Sequence, residues 1–187
     1  VNIIGLRPVF DFDVEHRIPL RLYWAVVLLG VILGILGVIY NKLLDKMQDF
    51  FDSFDSKFIS IGIMFMISFL MMFIYPIVLG SGNDLVKVIS DGKFTLIALA
   101  ILLVAKLFFS TGSFGTGTPG GIFLPLLVIG AITGGLYSTF LSTAFGVEEY
   151  YIKAFVIIAM AGFFSAIVRA PITGVILITE MTGNFMT

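Results

Sequence analysis

The sequence predicts an all-α, membrane-embedded fold of uneven, tilted and broken helices, and three observations carry that expectation. Apolar residues make up 59% of the chain and charged residues only 12%, against roughly half and a quarter in soluble domains. The mean hydropathy of +1.11 means more apolar surface than one soluble core of this size can hide, so lipid must solvate much of it. Apolar runs long enough to cross a bilayer also alternate with runs too short to do so, a mixture typical of secondary transporters.

Residues 1–21 read as a polar lead-in carrying Arg7, Asp11, Asp13, Glu15, His16, Arg17 and Arg21, with Pro8 and Pro19 breaking any long helix. Residues 22–187 read as the helical membrane region. The run 22–39 is nearly uncharged and spans a core of roughly 30 Å; Gly30, Gly34 and Gly37 lie on or near one face, where small residues admit a second helix. Acids, lysines and aromatics alternate over 41–57, an amphipathic extension at the water interface or a solvated helix end. A second span covers 58–79, with Pro76 near its end. Gly80 to Asp84 break the pattern, and 85–89 is a short or re-entrant helix. The third run, 94–109, is interrupted only by Lys106, read as a lysine that snorkels to the interface. After the glycine-rich stretch 110–121, residues 122–145 are again apolar, with Gly130 and Gly134 in close-packing spacing. The last runs, 152–168 and 172–178, are split at Arg169-Ala170-Pro171. About seven or eight helices are expected, two of them short or broken.

Several function classes are excluded. The formal net charge is −1 and the 11 Lys and Arg are scattered, so there is no basic stripe for nucleic acid. Cysteine is absent and His16 is the single histidine, which leaves no thiolate or imidazole metal site. No carboxylate pair clusters for acid–base catalysis. No enzyme activity and no cofactor are expected. Arginines and lysines balance across the first span, so orientation is undetermined. The start, Val1-Asn2-Ile3, lacks Met and a signal sequence, and the chain is expected to be an excerpt of a longer protein.

The chemistry concentrates at 112–125. A glycine-rich loop exposes backbone N–H groups, which are costly at membrane depth unless something binds them. The loop leads into a helix starting near Ile122. The first turn of a helix has free N–H donors and the positive end of the macrodipole, an anion site without a formal cation. Weak amide ligation lets a transported ion leave. Gly120 and Gly121 keep Cβ atoms away from the ion, and Pro125 falls in the first turn, where a missing N–H costs little. A glycine connection used only for packing is the other reading of these residues. A phosphate-binding loop fails, because no Gly-Lys-Ser or Gly-Lys-Thr follows.

The run Gly120-Gly121-Ile122-Phe123-Leu124-Pro125 resembles the Gly-x-Phe-x-Pro motif of the CLC family of chloride channels and H+/Cl− exchangers. Ser110-Thr111-Gly112 and Thr118-Pro119 fit its lead-in. Ser165, Arg169-Ala170-Pro171-Ile172-Thr173-Gly174 and Ile178-Thr179-Glu180-Met181-Thr182 look like its later Ser-x-x-Arg-Ala-Pro-Leu-Thr-Gly stretch and continuation. Gly37 to Lys42 and Gly80-Ser81-Gly82 match in order, so the resemblance covers residues 20–187. It implies one of two inverted halves of a homodimeric chloride transporter in a plasma (inner) membrane. Its anion-binding residues would be Gly121, Ile122, Phe123 and Pro125, with the Ile122 and Phe123 amides as chloride ligands. The family's gating Gly-x-Glu-x-Pro motif has no counterpart here, and its first-half serine, proton glutamate and pore tyrosine would belong to the rest of a CLC chain. Channel and exchanger are not distinguished, and transport of fluoride, nitrate or an organic anion is the alternative. Arg169 is expected to cap carbonyls at a helix break and Glu180 to lie at the water interface.

Overall fold

Seven α-helices and three 3-10 turns, with no strand, make up the described residues of a computed structural model, 18–54, 56–79, 82–90, 92, 94–118 and 120–182. In chain order they are a turn at Leu20–Leu22, α1 (Tyr23–Asp52), α2 (Lys57–Ile74), a turn at Pro76–Val78, α3 (Asn83–Ser90), α4 (Leu96–Gly115), α5 (Phe123–Phe145), a turn at Glu149–Tyr151, α6 (Ile152–Val168) and α7 (Pro171–Thr182). Four of the helices, α1, α2, α4 and α5, are long and apolar enough to cross a membrane. The charged part of the lead-in, from Arg7 to Arg17 and including His16, lies outside the described residues, as do Gly80, Ser81 and Pro119.

The polar stretch expected after residue 41 is α1 continued. The helix has 30 residues, about 45 Å at 1.5 Å per residue, longer than the hydrocarbon core is thick. Of the three glycines expected to admit a neighbour, Gly37 does: a Cβ there would lie 3.2 Å from Ala166 Cβ on α6. A Cβ at Gly30 or Gly34 would have nothing within 4 Å among the described residues.

The centre of the bundle is the antiparallel pair α5 and α6. Gly130 and Gly134 make it possible. A Cβ at Gly130 would come within 2.8 Å of the Ala159 carbonyl oxygen, and one at Gly134 within 2.7 Å of the Phe155 oxygen. The two backbones therefore touch, which is the close approach that small residues permit. Residues 126–135 of α5 are buried on every face, as befits a helix apolar all round. Tyr137 reaches from α5 to donate to the Ala25 carbonyl of α1 at 2.8 Å.

Two sequence readings are corrected by α4. Residues 110–115 are its last turns, not loop. Thr111 Oγ1 donates to the Leu107 carbonyl at 2.8 Å, and a Cβ at Gly115 would meet Met47 Cβ at 2.7 Å, so this polar, glycine-containing end stays helical by internal bonding and close packing against α1. Lys106 does not snorkel. It is 2% exposed, and its Nζ donates to the Val78 carbonyl at 2.7 Å. The lysine faces the bundle, where the Pro76–Val78 turn ends, so a carbonyl dipole inside the protein replaces the interface.

The glycine break before α3 has its physical reason at Gly82. Its φ is +79°, and a Cβ would lie 2.7 Å from Val128 Cγ2 on α5. Only glycine suits both the turn and the contact. Asn83 opens α3 rather than ending a turn, and the side chains of Asn83 and Asp84 lie outside the described residues.

A valine at Gly134 is expected to push α5 off α6 and destabilise the fold by about 1–3 kcal/mol or more, as overpacking does, read as a lowered unfolding temperature in detergent. Replacing Lys106 by Met leaves the Val78 carbonyl without this donor. That change is expected to cost about 1–3 kcal/mol in the same assay.

Candidate anion site

The helix expected near Ile122 begins there: Ile122 is the N-cap, with φ −75° and ψ −18°, and Phe123 is the first helical residue. The first closed bond of the new helix runs from the Leu126 amide to the Ile122 carbonyl at 3.2 Å. The amides of Phe123 and Leu124 precede it and have no acceptor within their own helix. Ile122 has no side-chain cap. Pro125, in the third helical position, has no N–H to leave unpaired, so a proline here removes a cost rather than adding one. The first turn thus presents unpaired donors at the positive end of a 23-residue helix.

The approach to these amides is open. Gly120 and Gly121 are exposed, and a Cβ at Gly121 would meet nothing within 4 Å. Packing among the described residues therefore does not require glycine at 121, which weakens the packing-only reading of the loop. Ile122, Phe123, Leu124 and Pro125 are half-buried. The turn before them is tied by hydroxyls: Thr116 Oγ1 donates to the Ser113 carbonyl at 2.8 Å and lies 2.9 Å from Thr118 Oγ1.

Aromatic packing fixes the direction of the helix start. The Phe123 ring meets Phe164 of α6 edge-on, with centroids 5.2 Å apart and planes at 85°. On the preceding residue of α6, Phe163 meets Tyr40 of α1 edge-on at 5.9 Å. Tyr40 is fully buried, and its hydroxyl lies 3.1 Å from Ser110 Oγ near the end of α4. Helices α1, α4, α5 and α6 are thereby locked together at the end where α5 begins. The four residues expected to bind an anion lie at this helix start; sequence reasoning gave no sign of the packing by Phe164 and Tyr40 or of this use of Ser110. Twenty phenylalanines gave no means of picking out the two that brace the site.

The remaining sequence candidates lie around it. Ser165 donates to the Ala161 carbonyl at 2.6 Å, within α6. The expected break at Arg169 is present, and Arg169 is the C-cap of α6 in a left-handed conformation. Glu180 is an exposed residue of α7. No cluster of three or more metal-ligating side chains occurs among the described residues.

A broken-helix, multi-pass bundle with an anion-suited helix terminus defines a class of membrane transport proteins. All of the chain, residues 1–187, matches the voltage-gated chloride channel family, and the chain belongs to that family. A solved structure similar to it is the X-ray crystal structure of a slow cyanobacterial Cl−/H+ antiporter, with a TM-score of 0.82 and 26% sequence identity over 95% of this chain. The match covers 42% of the antiporter chain, so this chain spans less than half of that protein's length. The protein is an integral, multi-pass membrane protein of an all-α fold.

Truncating Phe164 to Ala is expected to cost about 3–5 kcal/mol, the usual range for a buried aromatic. Intrinsic fluorescence or a thermal shift in detergent reads the loss.

Proposed function

We propose that this chain forms part of a chloride channel or H+/Cl− antiporter and contributes one helix N-terminus to its anion site. The observation that carries the reading is the start of α5, where the Phe123 and Leu124 amides have no acceptor within their own helix and the preceding Gly121 has open space among the described residues. Family membership supplies the identity of the anion. Gly121 leaves room for the ion, the Ile122 and Phe123 amides ligate it, and Pro125 shapes the turn. Dipoles replace part of the hydration shell, so the ion is held without a formal charge against it and leaves readily. The chain works within a longer CLC polypeptide, where 1–21 leads into the membrane region 22–187. Two such subunits pair in a plasma (inner) membrane surrounded by lipid. The reading is of transport rather than catalysis, with chloride as cargo and no resident cofactor.

A backbone ligand is tested by deleting its N–H. The φ of Ile122 already suits proline, and the carbonyl that accepts from Leu126 is kept. Ile122→Pro is expected to preserve the fold and weaken chloride binding about tenfold or more, the worth of one hydrogen bond to a charged group. Unchanged affinity by calorimetry on the purified full-length protein would sink the amide site. Chloride efflux from liposomes, with internal pH recorded, then separates the two mechanisms: coupled proton movement means an antiporter, and uncoupled flux a channel. A fluoride or organic-anion transporter predicts flux of that ion and none of chloride.

A further inference from the structure

Among the described residues, Arg169 is the only non-glycine residue with a positive φ, at 58°. It terminates α6 in the position that glycine or asparagine usually fills, because a Cβ disfavours the left-handed region. Capping the helix therefore does not call for arginine. A bulky side chain at a strained position points to work done by that side chain.

Its location suggests what the work is. Helices α5 and α6 run antiparallel, with Gly130 facing Ala159 and Gly134 facing Phe155. At the end of that contact, Phe123, the first residue of α5, packs on Phe164. Beyond Phe164, α6 runs on to Arg169, about 7.5 Å further along its axis. Arg169 thus lies beyond the first residue of α5 along the axis of α6, and it is exposed in this chain. The end of α1 projects in the same direction, since Met47 packs on Gly115. It carries Lys42 and Lys46 against Asp45, Asp49 and Asp52, one more acid than cation.

We propose that Arg169 is the electrostatic entrance of the anion site: its guanidinium draws chloride toward the α5 amides and offsets the acids on α1. The proposal rests on the amide-site reading above. A fixed cation near a site raises the local anion concentration, and salt screens the effect over about 8–10 Å.

The test uses the full-length protein in liposomes, with chloride flux measured against chloride concentration at low and high ionic strength set by an impermeant salt. Arg169→Gly suits the left-handed cap, so it is expected to unfold at or above the parent's temperature. Its apparent KM for chloride is expected to rise about three- to tenfold at low ionic strength, with the gap closing at high ionic strength. Arg169→Gln, which keeps the strain, should show the same KM shift, and Arg169→Lys should restore the parent's KM within about twofold. A glycine variant with the parent's KM at both ionic strengths overturns the proposal, as does one that unfolds at lower temperature, which would make the arginine a structural cap. Failure of the underlying site is separately visible: Ile122→Pro would then leave chloride affinity unchanged, whatever the Arg169 variants do.

Discussion

In a bilayer core there is no water to satisfy a backbone amide, so every break in a helix must be answered by the protein or by a ligand. That constraint organises this chain. Where α4 carries polar residues near its end, Thr111 turns its hydroxyl back to the Leu107 carbonyl. Where the Pro76–Val78 turn ends, Lys106 meets the Val78 carbonyl. Where α5 stops, Gly146 adopts a left-handed conformation and its N–H returns to the Ser142 carbonyl. The start of α5, like those of α1, α2 and α6, has no side-chain cap; what sets it apart is the glycine pair before it, with open space at Gly121 among the described residues.

A helix start can act as a ligand only if it does not yield when an ion arrives or leaves. The rigidity here comes from backbone contact. Gly130 and Gly134 let α5 rest on the α6 main chain, and the Phe123–Phe164 pair carries that contact to the first residue. Tyr40 then links α6 and α4 to α1, through Phe163 on one side and Ser110 on the other. Gly82, packed on Val128, brings the second broken segment against α5 about a turn and a half beyond the amides. Preorganised dipoles of this kind are stronger than mobile ones because nothing must reorient when the charge enters.

The fold class was legible because lipid imposes a simple rule on composition: apolar runs, their lengths and their interruptions marked the spans, the short α3 and the break at Arg169. The start of α5 was legible for a local reason, since Gly120-Gly121 followed by Pro125 encodes a helix N-terminus without reference to the rest of the chain. Readings that depended on direction were less secure. Lys106 could point to the interface or into the bundle, and only the packing of α4 against the Pro76–Val78 turn decides between them. The stretch 110–115 has loop composition, but hydroxyls bonding back along the helix and a glycine pressed on Met47 keep it helical. Gly30 and Gly34 match a packing pattern that nothing among the described residues fills, while Gly37 finds a partner. Tertiary partners carry no periodicity of their own, so Phe164 and Tyr40 had no sequence signal.

The placement of the cations bears on how a site of amides can pass ions quickly. An ammonium or guanidinium in contact with a buried chloride would hold it with a strength that low dielectric magnifies. The buried cation among the described residues, Lys106, instead meets a carbonyl, nine residues before the end of α4 and so about 14 Å along the helix from the loop. Arg169 lies past the amides rather than among them. On the proposed reading, charge acts from a distance and shifts the probability of arrival, while the contact atoms are N–H groups whose grip is modest. Affinity at the point of contact and attraction from afar become separate properties, set by different residues. An ion can then be drawn in without being trapped, which is the balance that conduction requires.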